Sequence, residues 1–207
     1  MRFVDLGLIE LPEALRRQQE TVVRIAAQDG PETVYLLEHP HVFTTGRLGK
    51  QENLLAKSDW NGTLIEPISI NRGGDVTYHG PGQLVGYLHL DLRRRHRDVR
   101  LFLRNLESSL IRTVKRLGAR AYRRPGLTGV WSDQGKLASI GVGVSRWITM
   151  HGFALNIHTD LRYFQLINPC GLTNCPMTSL SRLLDRSVSM GEVKDLFQKC
   201  FQETFRN

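Results

Sequence analysis

The sequence predicts an α+β fold: a largely antiparallel or mixed sheet flanked by helices. Three observations carry this. Short apolar runs of strand length are bounded by Gly, Pro, Asn or Asp. Three stretches instead place apolar residues at helical spacing. The strands and helices are interspersed, without the regular β-α-β alternation of a parallel sheet. No repeat, low-complexity tract or linker divides residues 1–207, so a single domain is expected.

Each element has a local cause. Pro12 to Gln28 is a helix candidate, with Leu15, Val22, Ile25 and Ala26 on one face and Gly30-Pro31 as the stop. Thr33 to Glu38 is a strand. Leu64 to Ile70 reads as a strand entering a glycine-rich loop, and Leu84 to Leu90 as the strand leaving it. Asp98 is placed to cap a helix ending before Gly118, whose buried stripe is Val99, Phe102, Leu103, Leu106, Leu110, Val114 and Leu117. Val130 to Ser132 and Leu137 to Val144 form a hairpin turned by Asp133-Gln134-Gly135. Ile148 to His158 is a further strand. A last helix opens at Ser189, with Glu192 completing a capping box and Val193, Leu196, Phe197, Cys200 and Phe201 as its apolar face.

Composition excludes several classes. No apolar run approaches the ~20 residues needed to span a bilayer. Met1 to Leu11 contains Asp5 and Glu10 and lacks a signal-peptide core, so a cytoplasmic setting is expected. The 3 cysteines, Cys170, Cys175 and Cys200, are too few for a disulfide scaffold and read as reduced thiols. Lys plus Arg number 28 against 20 Asp plus Glu, with dense clusters at Arg93–Arg97 and at Arg112 to Arg124. That balance points to an acidic partner. No nucleic-acid motif accompanies it, so nucleic acid is not the expected one.

The densest run of special residues is Arg72-Gly73-Gly74-Asp75-Val76-Thr77-Tyr78-His79-Gly80-Pro81-Gly82-Gln83, with four glycines in twelve positions. Glycine lets backbone approach a ligand closely, and loops carry function more often than they merely connect. Cys170 sits between Pro169 and Gly171, at a corner that can present a thiol. A thiolate is the reactive form, and a neighbouring Lys or His favours it. Lys136 opens the apolar run Leu137 to Val142. It reads either as a snorkelling strand-end lysine or as one held near apolar surface for proton transfer. Cys170 and Cys175, with His151 and His158, do not match a usual zinc spacing, so no metal is expected. The two thiols are close enough in sequence to crosslink under oxidation.

Five ordered motifs then resemble the octanoyltransferases of lipoate biosynthesis, within the superfamily of biotin and lipoate protein ligases. They are Glu38-His39-Pro40 with Thr45-Gly46-Arg47; Arg72-Gly73-Gly74 with Thr77 to Gln83; Lys136-Leu137-Ala138-Ser139-Ile140-Gly141; His151-Gly152-Phe153-Ala154-Leu155-Asn156; and Asn168-Pro169-Cys170-Gly171 with Thr178-Ser179-Leu180. The resemblance covers roughly Glu38 to Leu180.

It implies the biotin/lipoate ligase fold and transfer of an octanoyl group from acyl carrier protein. The acceptor would be a lysine of the lipoyl domains of 2-oxoacid dehydrogenase E2 subunits or of the glycine cleavage H protein. It puts the acyl-thioester cysteine on Cys170 and the catalytic lysine on Lys136. It puts substrate-binding segments on Arg72, Gly73, Gly74, Asp75, Val76, Thr77, Tyr78 and His79, on Ser139, Ile140 and Gly141, and on Gly152, Phe153 and Ala154. Thioester-to-amide transfer is downhill, so no cofactor is expected. Tyr78, Leu84, Ile140 and Phe153 are the expected walls of an apolar acyl slot. His79 is expected to support the site or shape its loop. An ATP-dependent lipoate or biotin ligase of the same fold is the alternative, and it would not need Cys170. A non-catalytic binding or nucleic-acid module that uses the fold and its basic charge is the other.

Overall fold

The computed structural model describes residues 1–206. Its larger sheet has seven strands: β1 (Arg2–Leu8), β2 (Thr33–Glu38), β6 (Gln83–His89), β7 (Tyr122–Arg124), β8 (Leu127–Ser132), β9 (Gly135–Ser145) and β10 (Ile148–Asn156). Their spatial order is β1-β2-β6-β10-β9-β8-β7. Only the β1–β2 pair is parallel; the other pairs are antiparallel. A second sheet holds β3 (Val42–Thr45), β4 (Ile68–Ser69) and β5 (Thr77–His79) in the order β4-β3-β5. The helices are α1 (Leu11–Ala26), α2 (Val99–Arg116), α3 (Leu180–Leu184) and α4 (Met190–Thr204).

The period-2 alternation of the central strands separates two environments. Leu84 and Leu88 of β6 and Phe153 and Leu155 of β10 face α2 and α4, where they pack with Phe102, Leu106, Leu110, Phe197 and Phe201. Val85 and Tyr87 of β6 and Ala154 of β10 face the other way, against Ala14 of α1 and Leu37. α1 covers only part of that second face. The small sheet, with its own aromatic core of Phe43, Tyr78, Tyr163 and Phe164, stands over the rest. Between them lies a narrow slot.

The α+β class and mixed sheet are as expected, and several details differ. β1 and β7 are strands that pattern did not show. Both are edge strands with a register shift, so neither is buried on alternate positions. The expected strand from Leu64 to Ile70 shrinks to Ile68–Ser69. The glycine-rich stretch is not one loop, because β5 runs through it between a bend at Arg72 to Asp75 and a turn at Gly80 to Gly82. α1 ends at Ala26, two residues early, with Gln28 left-handed at φ 59. Asp98 caps α2 by accepting from Leu101 N. Ser189 makes no side-chain cap bond, so the expected capping box with Glu192 does not form.

Candidate active site

Cys170 lies on the short turn Pro169–Gly171 with φ 58 and ψ 24, a left-handed conformation uncommon for a residue bearing a Cβ. Its surroundings hold it there. Cys170 N donates to Val76 O at 3.1 Å, and Asn168 N donates to Asn53 O at 2.8 Å. Asp75 completes the dock: Oδ1 accepts from Val76 N at 2.6 Å and Lys50 N at 3.2 Å, and Oδ2 from Asn53 Nδ2 at 2.5 Å. A side chain at position 171 would come within 3.1 Å of the Asp75 carboxylate. The Pro-Cys-Gly sequence thus supplies a corner, and buried Asp75 fixes where it points.

It points at Lys136. The Lys136 Nζ stands 3.0 Å from Cys170 Sγ, and the lysine is only 2% exposed. Lys136 is the second residue of β9. Its backbone is clamped on the far side by Pro176 and Thr178: Lys136 N donates to Pro176 O, and Thr178 N to Lys136 O. Its stem passes beside Trp131, with Nζ 5.5 Å from the ring centroid. Gly129, at φ 131, leaves room for it, since a Cβ there would lie 3.0 Å from Lys136 Cε. Buried ammonium groups are costly unless paired, and the thiol is the one side-chain partner Lys136 has among the described residues.

The slot opens from this pair along the sheet. Gly73, Gly74, Thr77, His79, Ser139, Gly141, Gly152 and Ala154 border it with Cys170. Small residues at paired positions make the floor: Ala154 is opposite Ser139, and Gly152 opposite Gly141. Arg72, 7% exposed, forms a wall. Its guanidinium donates to Thr44 O and Oγ1 at 2.9 Å and to Gly73 O at 3.1 Å, with no carboxylate bonded to it. Burial pushes its pKa below the ordinary value, opposed by the nearby Cys170, Tyr87 and Asp75. Backbone packs closely here: a Cβ on Gly141 would fall 2.8 Å from Gly73 O, and one on Gly46 2.4 Å from Gly74 O.

His79 is wired to Lys136 through hydrogen bonds. Gln83 Nε2 donates to Tyr78 O and Asn156 Oδ1, leaving its Oε1 to accept from His79 Nδ1 at 2.7 Å. Asn156 Nδ2 in turn donates to Thr178 O, one bond from the Lys136 backbone. Burial, then His39, lowers the His79 pKa to about 3, so the ring is neutral at working pH. His39 is structural: its Nδ1 donates to Ile9 O and its Nε2 meets Tyr87 Oη at 2.8 Å.

The expected slot walls need correction. Tyr78 points away, stacked on Tyr163 at 4.6 Å with a hydrogen bond to His41. Leu84 lies on the helix-facing side of β6. Ile140 and Phe153 border the slot, but their side chains pack in the core under α2 and α4. Asp75 and Val76 act behind Cys170 rather than in the slot. Ile70, Val85, Tyr87 and His151 are slot residues that sequence reasoning missed. The signal for Val85 and Tyr87 was their parity on β6, readable only once the strand is paired with Gly152 and Ala154.

The basic clusters are partly neutralised from within, seven arginines sharing four carboxylates. Arg93 and Arg94 pair with Asp91, Arg95 with Glu32, and Arg104 and Arg123 with Glu107. Arg112 and Arg116 pair with Glu203.

Comparison with known proteins fits this geometry. The family described as Lipoyl protein ligase A/B catalytic domain matches residues 10–202. A Geobacter metallireducens protein named octanoyltransferase is 53% identical over 194 residues, covering 94% of this chain and 88% of that protein. One of the same name from Geotalea uraniireducens is 54% identical over 194 residues, with the same coverage of 94% and 88%. Among solved structures, a bipartite lipoate protein ligase from Thermoplasma acidophilum superposes with TM-score 0.70 at 18% identity, over 99% of this chain and 83% of that one. The biotin protein ligase of Aquifex aeolicus gives 0.56 at 11% identity, over 100% and 69%. Those two likenesses speak for the fold, and the match along nearly the whole sequence speaks for descent: the chain belongs to the lipoyl protein ligase A/B catalytic domain family.

Proposed function

We infer that this protein is an octanoyltransferase. It moves an octanoyl group from the thioester of acyl carrier protein to a lysine of a lipoyl domain, through a thioester on Cys170. Relatives near 50% identity carry the octanoyltransferase name. The observation that carries the mechanism is the 3.0 Å contact between Lys136 Nζ and Cys170 Sγ.

The reading runs in two acyl transfers. Lys136 takes the thiol proton and Sγ attacks the donor carbonyl. The carbon–sulfur bond to the donor breaks, and Lys136 returns the proton to the departing thiol. The acceptor lysine, as a neutral amine, then attacks the Cys170 thioester. Lys136 accepts its proton and passes it to Sγ as the amide forms. The acyl tail occupies the slot over Gly152, Ala154, Ser139 and Gly141. His79, neutral and hydrogen-bonded to Gln83, is a positioning residue here, since it reaches Lys136 only through Gln83, Asn156 and Thr178. The three free cysteines support the cytoplasmic setting, and no helix among the described residues is long and apolar enough to cross a membrane.

Incubation with octanoyl-acyl carrier protein and no ATP tests this directly. Intact mass should show one octanoyl adduct, removed by hydroxylamine, present in Cys175→Ala and absent in Cys170→Ala. An adduct that requires ATP would turn the reading to a ligase.

A further inference from the structure

The loop that carries Cys170 has two sides. Its inner side presents the thiol to the acyl slot. Its outer side, from Asn168 to Met177, forms one wall of a separate open groove of about 1030 Å³. Neither Lys136 nor Cys170 lines this groove. Its lining includes the amide side chains Gln134, Gln165, Asn168 and Asn174, two arginines, and no carboxylate.

The arginines differ. Arg162 is already held by Asp160 at 2.6 Å and lies over the Trp60 ring at 4.7 Å. Arg182, exposed on α3, has no ion pair and no side-chain hydrogen bond among the described residues. An unpaired guanidinium in a groove with no carboxylate in its lining is free to take an anion.

We propose that this groove receives the phosphopantetheine arm of the acyl donor, with Arg182 on its phosphodiester. The proposal rests on the reaction inferred above. The chemistry matches on three counts. A carrier-borne thioester arrives on a flexible arm containing two amides, which suits four amide side chains along the wall. The arm ends in one phosphodiester, which suits one unpaired guanidinium. The acyl group and the leaving thiol must lie on opposite sides of the attacked carbonyl carbon. With the acyl tail in the slot, the arm leaves on the side where Pro169 and Cys175 meet the groove.

The test compares octanoyl-4′-phosphopantetheine with octanoyl-pantetheine, which lacks the phosphate, as donors in single-turnover acylation of Cys170 followed by intact mass. The expected result is a preference of about 2- to 5-fold for the phosphorylated donor, the range for an ion pair to an exposed guanidinium. Arg182→Gln should abolish that preference while leaving the rate with octanoyl-pantetheine unchanged, and Arg182→Lys should keep part of it. The wild-type comparison stands even where a variant folds poorly. A preference that persists in Arg182→Gln overturns the proposal, as does the lack of any preference in wild type. If Arg182→Gln instead slows only transfer from the acyl-enzyme to the lipoyl domain, the groove belongs to the acceptor. Failure of both thioesters to acylate Cys170 would remove the reaction itself, a result separable from all of these.

Discussion

The two faces of the central sheet are built on different principles. Toward α2 and α4, large apolar side chains interdigitate: Leu84, Leu88, Phe153 and Leu155 meet Leu106, Leu110, Phe197 and Phe201. Toward α1 and the small sheet, the same strands offer Gly141, Gly152, Ala154 and Ser139. Four buried histidines, His39, His79, His89 and His151, gather on that side. Six buried polar atoms there have no hydrogen-bond partner among the described residues: Gln18 Nε2, Arg72 Nε, Thr77 Oγ1, His89 Nε2, Ser139 Oγ and His151 Nδ1. One face stabilises the fold by close packing. The other gives up packing and polar satisfaction to keep room beside a nucleophile.

The sharpest way to break this contrast is at Lys136. Lys136→Arg keeps the charge but cannot take a proton, and Lys136→Met removes both while keeping the length. Transfer should fall by about 10²–10⁴-fold in each, the range for general acid–base groups. Alkylation of Cys170 by iodoacetamide should survive in Lys136→Arg alone. Near-normal transfer in that variant would remove Lys136 as the proton carrier.

On the other face the same scale of effect should appear as stability. Phe197 is fully buried and tilted against Phe153 at 4.6 Å. Phe197→Ala should cost about 3–5 kcal/mol in denaturant unfolding. Below its melting temperature, acylation of Cys170 should proceed at close to the normal rate. A large loss of acylation in the folded variant would mean that the two faces are not separable.

pH should divide the faces too. Burial lowers the pKa of His79 to about 3 and of His89 and His151 to about 4, each below the unfolded value near 6.5. The unfolded chain therefore binds these protons first. Stability is full above about pH 6.5 and falls as pH drops toward 4, by up to about 1.4 kcal/mol per pH unit for each histidine. Replacing His89 with Phe should flatten that slope. An unchanged slope would mean that the histidines are not the groups that titrate.

The smallest effect is expected at Ser139, whose buried hydroxyl has no partner among the described residues. Ser139→Ala should raise stability by about 1 kcal/mol, because the unpaired group no longer has to be desolvated. Destabilisation would show that the hydroxyl has a partner in solution.

How much of this was legible in the sequence follows a physical line. The corner at Pro169-Cys170-Gly171 and the lysine opening an apolar strand are local features, and both were readable. Slot orientation was not. Leu84 and Tyr78 read as walls from sequence, but a one-residue shift along a strand reverses the side a residue faces, and pairing alone settles it. Tyr78 sits one residue from two slot members, Thr77 and His79. Ion pairs across the fold were equally hidden. Arg95 reaches Glu32 across 63 positions of sequence, so a cluster that read as a free basic face is in part an internal brace. The edge strands β1 and β7 carry no clean alternation to read.

Gly46 and Gly141 have a bearing on how such a chain can diverge. Neither lies in a left-handed conformation, so their own backbones would accept alanine. What forbids it is the segment Arg72 to Gly74 resting on both. Shortening Arg72 would not release either position, because the carbonyl oxygens of Gly73 and Gly74 are themselves the obstacles. Three stretches far apart in the chain therefore drift as a single heritable unit: a side chain can appear at 46 or 141 only in a lineage whose 72–74 backbone has already withdrawn.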